Sequence, residues 1–211
     1  MSSVNGRVQA VQQEYAVVVG AYDRRWCQYL QGTIAATMAR VPLHAGQHVL
    51  DVGCGTGLLL RAMTDHESTI RAVGLDLSRA MLHRARSRLP VTVTLLQGDT
   101  TRLPFESATF DVVVSSSALH YVPHPDDALA EIARVLRPNG RLVLTIWCTD
   151  YWTTRLIDWL LRTVDPAHAQ ASGASHLRRL LLETGYSNIA IERYNIDWIW
   201  GLMTASATKP A

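Results

Sequence analysis

The chain has 211 residues, 48% of them hydrophobic and 18% charged, which excludes a disordered polypeptide and suffices for one ordinary core. A formal net charge of +2 excludes the strongly basic footprint of a nucleic-acid binder. Three scattered cysteines, Cys27, Cys54 and Cys148, form no C-x-x-C pair, which excludes a disulfide framework or structural zinc site and fits a reducing compartment.

The first ten residues are polar and are expected to fray. No basic region followed by an apolar one marks a signal peptide there, and no apolar run reaches the ~20 residues that span a bilayer. The chain therefore reads as soluble and cytoplasmic. Gln9–Val41 lacks proline and suggests one or two helices, closed by Pro42. A regular alternation follows. His48–Val52 is a short apolar run that ends in a glycine loop, Leu58–Asp65 reads as a helix, and Ile70–Leu75 is a second apolar run. Ser78 is an N-cap for a helix whose Leu82, Ala85 and Leu89 share a face. Val91–Leu96 and Phe110–Ser115 are strand-like. Pro125, Asp126 and Asp127 suit a helix's first turn, with Leu129, Ile132 and Leu136 as its apolar stripe. Pro138-Asn139-Gly140 is a turn before a fifth strand, Leu142–Trp147. Helices at Tyr151–Val164 and Ser175–Thr184 and strands at Ile189–Tyr194 and Ile199–Thr208 complete the pattern, the last two strands pairing antiparallel at a sheet edge. Trp198 and Trp200 would share one face of the final strand. The strands are apolar on both faces, which marks an α/β fold with a mostly parallel sheet covered on both sides.

The glycine loop carries the first chemical signal. Val49-Leu50-Asp51-Val52-Gly53-Cys54-Gly55-Thr56-Gly57 places three glycines at G-x-G-x-G spacing just after the first strand, with Asp51 beside them. Such a loop turns tightly and lets a ligand approach its backbone. A dinucleotide would bring a negative pyrophosphate to the helix N-terminus, and a neighbouring carboxylate would oppose it. S-adenosylmethionine (SAM) carries a sulfonium and an ammonium instead, so charge favours SAM over NAD. Asp76 ends the second strand where an acid accepts bonds from ribose hydroxyls, and Leu77 is placed to lie against an adenine. Asp99, in Gly98-Asp99-Thr100, follows the third strand and can accept from the adenine amine.

These segments resemble the class I SAM-dependent methyltransferases of the type-11 group, which includes many ubiquinone-biosynthesis-like enzymes. The resemblance rests on VLDVGCGTG (49–57), VGLDLS (73–78), GDTTRLPF (98–105), FDVVVSSSALHYV (110–122) and VLRPNGRLVLT (135–145). It implies a Rossmann-like seven-stranded sheet of order 3-2-1-4-5-7-6 with strand 7 antiparallel. It also implies SAM as cofactor and S-adenosylhomocysteine as product. Asp51, Gly53, Cys54, Gly55 and Gly57 would sit near the methionine part. Asp76 would hold the ribose, Leu77 and Met81 the adenine face, Asp99 and Thr100 its edge. Ser116 stands where many relatives have asparagine. One domain over 1–211 is expected, with a helical lid (1–45), a cofactor core (46–147) and a substrate-side insert with the last strands (148–211).

In-line methyl transfer needs positioning more than a catalytic triad. His120 is the candidate base or substrate orienter, with an ordinary pKa near neutrality; the alternative is a histidine that packs or orders its loop. Tyr121, Tyr15 and Tyr22 are candidates for closing the site, and Trp147 and Tyr151 for the substrate wall, although these aromatics equally suit a core. His120 and His124 are separated by Pro123, which excludes a helical zinc pair. The arginines at 79, 84, 86 and 88 read as a solvated helix face. The expected partner is a small-molecule acceptor, without nucleic acid or a membrane span, for a monomer or homodimer. The rival readings are a non-catalytic SAM or S-adenosylhomocysteine binder, an NAD-dependent oxidoreductase, and a tRNA or protein methyltransferase.

Overall fold

Strands that are apolar on both faces need cover on both, and the chain supplies it. The computed structural model describes residues 12, 15, 17–165, 168 and 171–211; the expected fraying of the first ten lies outside the described residues. Residues 17–25 are helical and lead into α1 (Cys27–Met38). Then come β1 (His48–Val52), α2 (Leu58–His66), β2 (Arg71–Asp76), α3 (Arg79–Arg86), β3 (Thr94–Gln97) and β4 (Phe110–Ser116). A short 3-10 turn at Leu119–Tyr121 precedes α4 (Pro125–Val135), β5 (Leu136–Trp147), α5 (Trp152–Val164), α6 (Ala174–Glu183), β6 (Ser187–Asn195) and β7 (Gly201–Thr208).

The seven strands run in the order β3-β2-β1-β4-β5-β7-β6. All pairs are parallel except those made by β7, which is antiparallel to both neighbours. The expected topology is thus the observed one. Side-chain alternation divides the core. Leu50, Val52, Val113, Leu142 and Leu144 meet α4 and α6 through Leu129, Ile132, Leu177 and Leu181. Val49, Val112, Val114 and Val143 meet α2 and α3 through Leu60, Met63, Leu82 and Ala85. No helix among the described residues is long and apolar enough to cross a membrane.

A run of hydroxyls seats α1 on that second face. Thr37 Oγ1 donates to the Thr33 carbonyl at 2.7 Å, so it accepts from Thr145 Oγ1, also at 2.7 Å. Thr145 then accepts from Thr204 at 2.9 Å, and Thr204 from the Tyr194 hydroxyl at 2.7 Å.

Four details differ from the sequence expectation. β3 starts at Thr94 rather than Val91, because Arg86 holds the carbonyls of Leu89, Pro90 and Val93 and leaves Val91 exposed in a turn. Leu136 opens β5 instead of closing the α4 stripe, which Val135 completes. The Pro138–Gly140 turn lies inside β5 as a register shift against β4; Asn139 takes φ +63° and donates its N–H to the Lys209 carbonyl at 2.9 Å. β7 starts at Gly201, because Asp197 Oδ1 accepts the N–H groups of Ile199 and Trp200 at 2.8 Å and curls that segment. Trp198 and Trp200 therefore share no strand face.

Candidate functional site

β1 and β4 are neighbours, yet the chain leaves them toward opposite edges of the sheet. Their carboxyl ends therefore open a crevice, the place where open α/β sheets bind ligands. Three glycines make the turn out of β1: Gly53, Gly55 and Gly57 have φ of +75°, +52° and +79°. At Gly53 a Cβ would stand 2.3 Å from the Cβ of Ala118, so the loops after β1 and β4 touch there. Gly57 instead lies under Leu89 and Ala85, which would stand 2.8 and 3.0 Å from its Cβ, and serves packing. Gly53→Ala is expected to force the loops apart, at about 1–3 kcal/mol in melting stability, and to weaken ligand binding by about tenfold or more. Thermal melting and ligand titration check this, and wild-type values would show that the close approach is not needed.

Acids stand behind and beside this loop. Asp76 accepts the Gly55 N–H on Oδ2 at 2.7 Å and the Ser78 N–H on Oδ1 at 2.8 Å, which leaves each oxygen a further lone pair. Burial raises its pKa, and those two bonds oppose the rise. Asp99 Oδ1 accepts the N–H and the hydroxyl of Thr101, both at 2.9 Å. Asp51 is buried, and neither of its carboxylate oxygens has a partner among the described residues. Burial first, and then repulsion from Asp76, push it up to about 8. A buried acid without a donor beside a glycine cradle suits a ligand that brings positive charge.

The crevice holds a cavity of about 320 Å³. Of the predicted cofactor residues, Gly53, Gly55, Asp76, Leu77, Met81, Asp99, Thr100 and Ser116 line it, with Tyr15, Tyr22 and Tyr121 across from them. Asp51, Cys54 and Gly57 do not. Cys54 Sγ is turned toward Gly74 in the core. Thr101, Arg102 and Ser117 also line the cavity and were not read from the sequence. The helical residues 17–25 are held in place by Asp23, which pairs with Arg88 at 2.5 Å and accepts the Thr56 hydroxyl at 2.6 Å. Arg79, Arg84 and Arg86 are solvent-exposed as expected, although Arg86 also ties down the turn before β3, whereas Arg88 is a structural tie rather than part of that face.

A second cavity, of about 300 Å³, shares Tyr15, Tyr22, Ser117 and Tyr121 with the first. Its remaining wall is mostly aromatic and apolar, with Trp26, Tyr29, Trp147, Trp200, Ile157 and Leu161, and it also includes His120 and the charged Arg25 and Asp165. His120 faces this cavity rather than the first. It stacks on Trp147 with centroids 4.4 Å apart and planes at 16°. Burial, with His168 nearby, lowers its pKa to about 3, against an opposing pull from Asp158. The expectation of a value near neutrality is thus corrected: the pull of Asp158 is too weak to offset desolvation of the imidazolium. Tyr151 lines neither cavity, because its ring lies across Gly201 and fills the space a Cβ would need.

Sequence reasoning missed the groups that hold this wall. Trp147 Nε1 donates to the Tyr29 hydroxyl at 2.7 Å, and Tyr29 meets Ser117 Oγ at 2.6 Å. Ser117 itself takes φ +58°, rare for a residue with a Cβ, where both cavities meet. Behind His120, buried His168 bonds Asp158 through Nε2 at 2.8 Å. Burial would raise the Asp158 carboxyl, but bonds from the Ala171 N–H, His168 and Arg162 hold it low.

Sheet order, glycine cradle and strand-end acids together define a Rossmann-like protein built to hold a nucleoside that carries positive charge. The chain belongs to the family described as methyltransferase domain, whose match covers residues 50–144, and SAM is the cofactor of that class. An uncharacterized methyltransferase of Mycobacterium bovis is 31% identical over 188 residues, 87% of this chain and 69% of that protein. A demethylmenaquinone methyltransferase of Renibacterium salmoninarum is 39% identical over 121 residues, 57% of this chain and 47% of that one. Several curated relatives are matched over only 32–61% of their length. Among solved structures, the [4+2]-cyclase SpnF shares the fold with a TM-score of 0.78 at 20% identity, covering 97% of each chain.

Proposed function

We propose that the chain transfers the methyl group of SAM to a small, flat, apolar or aromatic acceptor. One observation carries this reading: an acid-lined cavity and an aromatic cavity adjoin through four shared residues. SAM, when bound, supplies an electrophilic methyl on a sulfonium. The first cavity offers Asp76 to ribose hydroxyls and Leu77 and Met81 to the adenine, while Asp51, buried behind the glycine loop, reaches the cationic end only through its field. The second has Trp26, Trp147 and Trp200 to clamp a ring and exclude water. In this reading residues 46–147 form the cofactor half, while 1–45 and 148–211 form the acceptor half and its cover.

Positioning dominates such a transfer, because cofactor and nucleophile held collinear supply up to roughly 7–11 kcal/mol of the barrier. His120 acts as an orienter that accepts a hydrogen bond, not as a base with a pKa near 7. The profile of kcat/KM between about pH 5 and 8 is therefore expected to lack a limb that disappears in His120→Gln. Such a limb near 6.5 would restore the base. The decisive assay mixes protein and SAM with a panel of phenols, quinols and indoles and measures S-adenosylhomocysteine release. Turnover that Trp200→Ala abolishes at unchanged SAM affinity supports the reading. Saturable SAM binding without release across the panel favours the non-catalytic alternative, to which a neutral His120 also lends support.

A further inference from the structure

We propose that Ser117 binds the acceptor, its Oγ receiving a hydrogen bond from the nucleophile that takes the methyl group. This role rests on the proposed methyl transfer. Tyr15, Tyr22, Ser117 and Tyr121 line both cavities, so a methyl that passes from one to the other crosses the seam they enclose. The tyrosines stand on the N-terminal helical segment and on the 3-10 turn. Ser117 directly follows β4, and its N–H is bonded to the Thr145 carbonyl of β5 at 2.8 Å. It is thus the shared group that the sheet itself holds in place. His120 lines the second cavity but not the first, so it can hold a polar group away from the seam, whereas Ser117 stands at it.

The backbone shows that a side chain is kept here at a cost. A φ of +58° disfavours any residue with a Cβ and suits glycine. The matching turn after β1 does use glycine, with Gly53 at φ +75°. Strain of this kind, at the place where two cavities meet, points to a side chain in use. The hydroxyl also has capacity to spare. Oγ lies 2.6 Å from the Tyr29 hydroxyl, and either oxygen can be the donor. A serine oxygen has one hydrogen and two lone pairs, so in both directions at least one lone pair remains. A phenol or quinol that still carries its hydrogen can give it to that lone pair. Its own lone pair is then left to face the methyl group.

The test is calorimetric titration of the S-adenosylhomocysteine complex with 4-ethylphenol and with its methyl ether, 4-ethylanisole. Ser117→Ala should weaken binding of the phenol by about three- to tenfold and leave the ether unchanged. Ser117→Gly should repeat that pattern while melting about 2–4 °C above Ser117→Ala, because glycine relaxes the positive φ. Equal losses for both ligands, or unchanged affinity for the phenol, overturn the proposal. So does a Ser117→Gly protein that melts no higher than Ser117→Ala. Failure of the wild type to bind either ligand would sink the proposed acceptor class and this role with it. Phenol selectivity that Ser117 controls, without methyl transfer, would keep the role and sink only the transfer.

Discussion

Replacing Asp76 with alanine is expected to weaken SAM binding about 30- to 1000-fold, measured by calorimetric titration. A hydrogen bond to a charged group contributes about 1.5–3 kcal/mol, so losing two ribose contacts removes roughly 2–4 kcal/mol after partial solvation. The substitution also strips partners from the Gly55 and Ser78 N–H groups, which Asp76 holds at 2.7 and 2.8 Å. The glycine loop then loses the clamp that fixes its shape before a ligand arrives. Asp76→Asn keeps one acceptor oxygen and most of the volume, and should fall between alanine and wild type. Equal affinity in all three proteins would move the ligand away from the end of β2.

Replacing Asp51 with asparagine should act in opposite directions on stability and binding. In the unfolded chain this carboxyl ionises near ~3.9. In the fold it keeps its proton up to about 8, because burial and Asp76 disfavour the anion. Between those values the native state binds the extra proton, so this group's contribution falls as pH rises and levels off above the folded value. Wild type and Asp51→Asn should therefore melt alike near pH 4, with the variant increasingly more stable toward pH 8.5, by up to ~5 kcal/mol at about 1.36 kcal/mol per pKa unit. In the proposed mode of binding SAM sets positive charge near this acid, so binding at pH 7 should expel a proton. Calorimetry in buffers of different ionisation enthalpy reads that proton directly. The variant should bind more weakly and lose this part of the buffer dependence. An identical proton count in both proteins would show that Asp51 does not sense the ligand.

The parallel sheet was legible because its central strands β1, β4 and β5 are apolar on both faces and each crossover carries its own punctuation. Gly57, Ser78 and Pro125 mark where loops become helices. The cofactor half of the site was legible for a related reason: its residues follow strand ends, and strand ends are visible in sequence. The acceptor half was not. Tyr29, His168 and Trp200 come from distant segments, and only packing unites them around Trp147. One signal was present, an aspartate amid the apolar run of Leu156-Ile157-Asp158-Trp159-Leu160. It marks a helix fastened by its polar side. The pKa of His120 was misjudged because desolvation depends on the neighbours that Trp147 and His168 supply, and no local pattern encodes them.

The bond from Trp147 to Tyr29 carries a direction. An indole N–H can only give, so the Tyr29 hydroxyl receives it, while between Tyr29 and Ser117 either oxygen can be the donor. Whichever way that hydrogen runs, Trp147, Tyr29 and Ser117 form one chain of bonds from the end of β5 through α1 to the seam between the two cavities. Loss of the indole N–H would leave this chain one donor short at the place where both cavities meet.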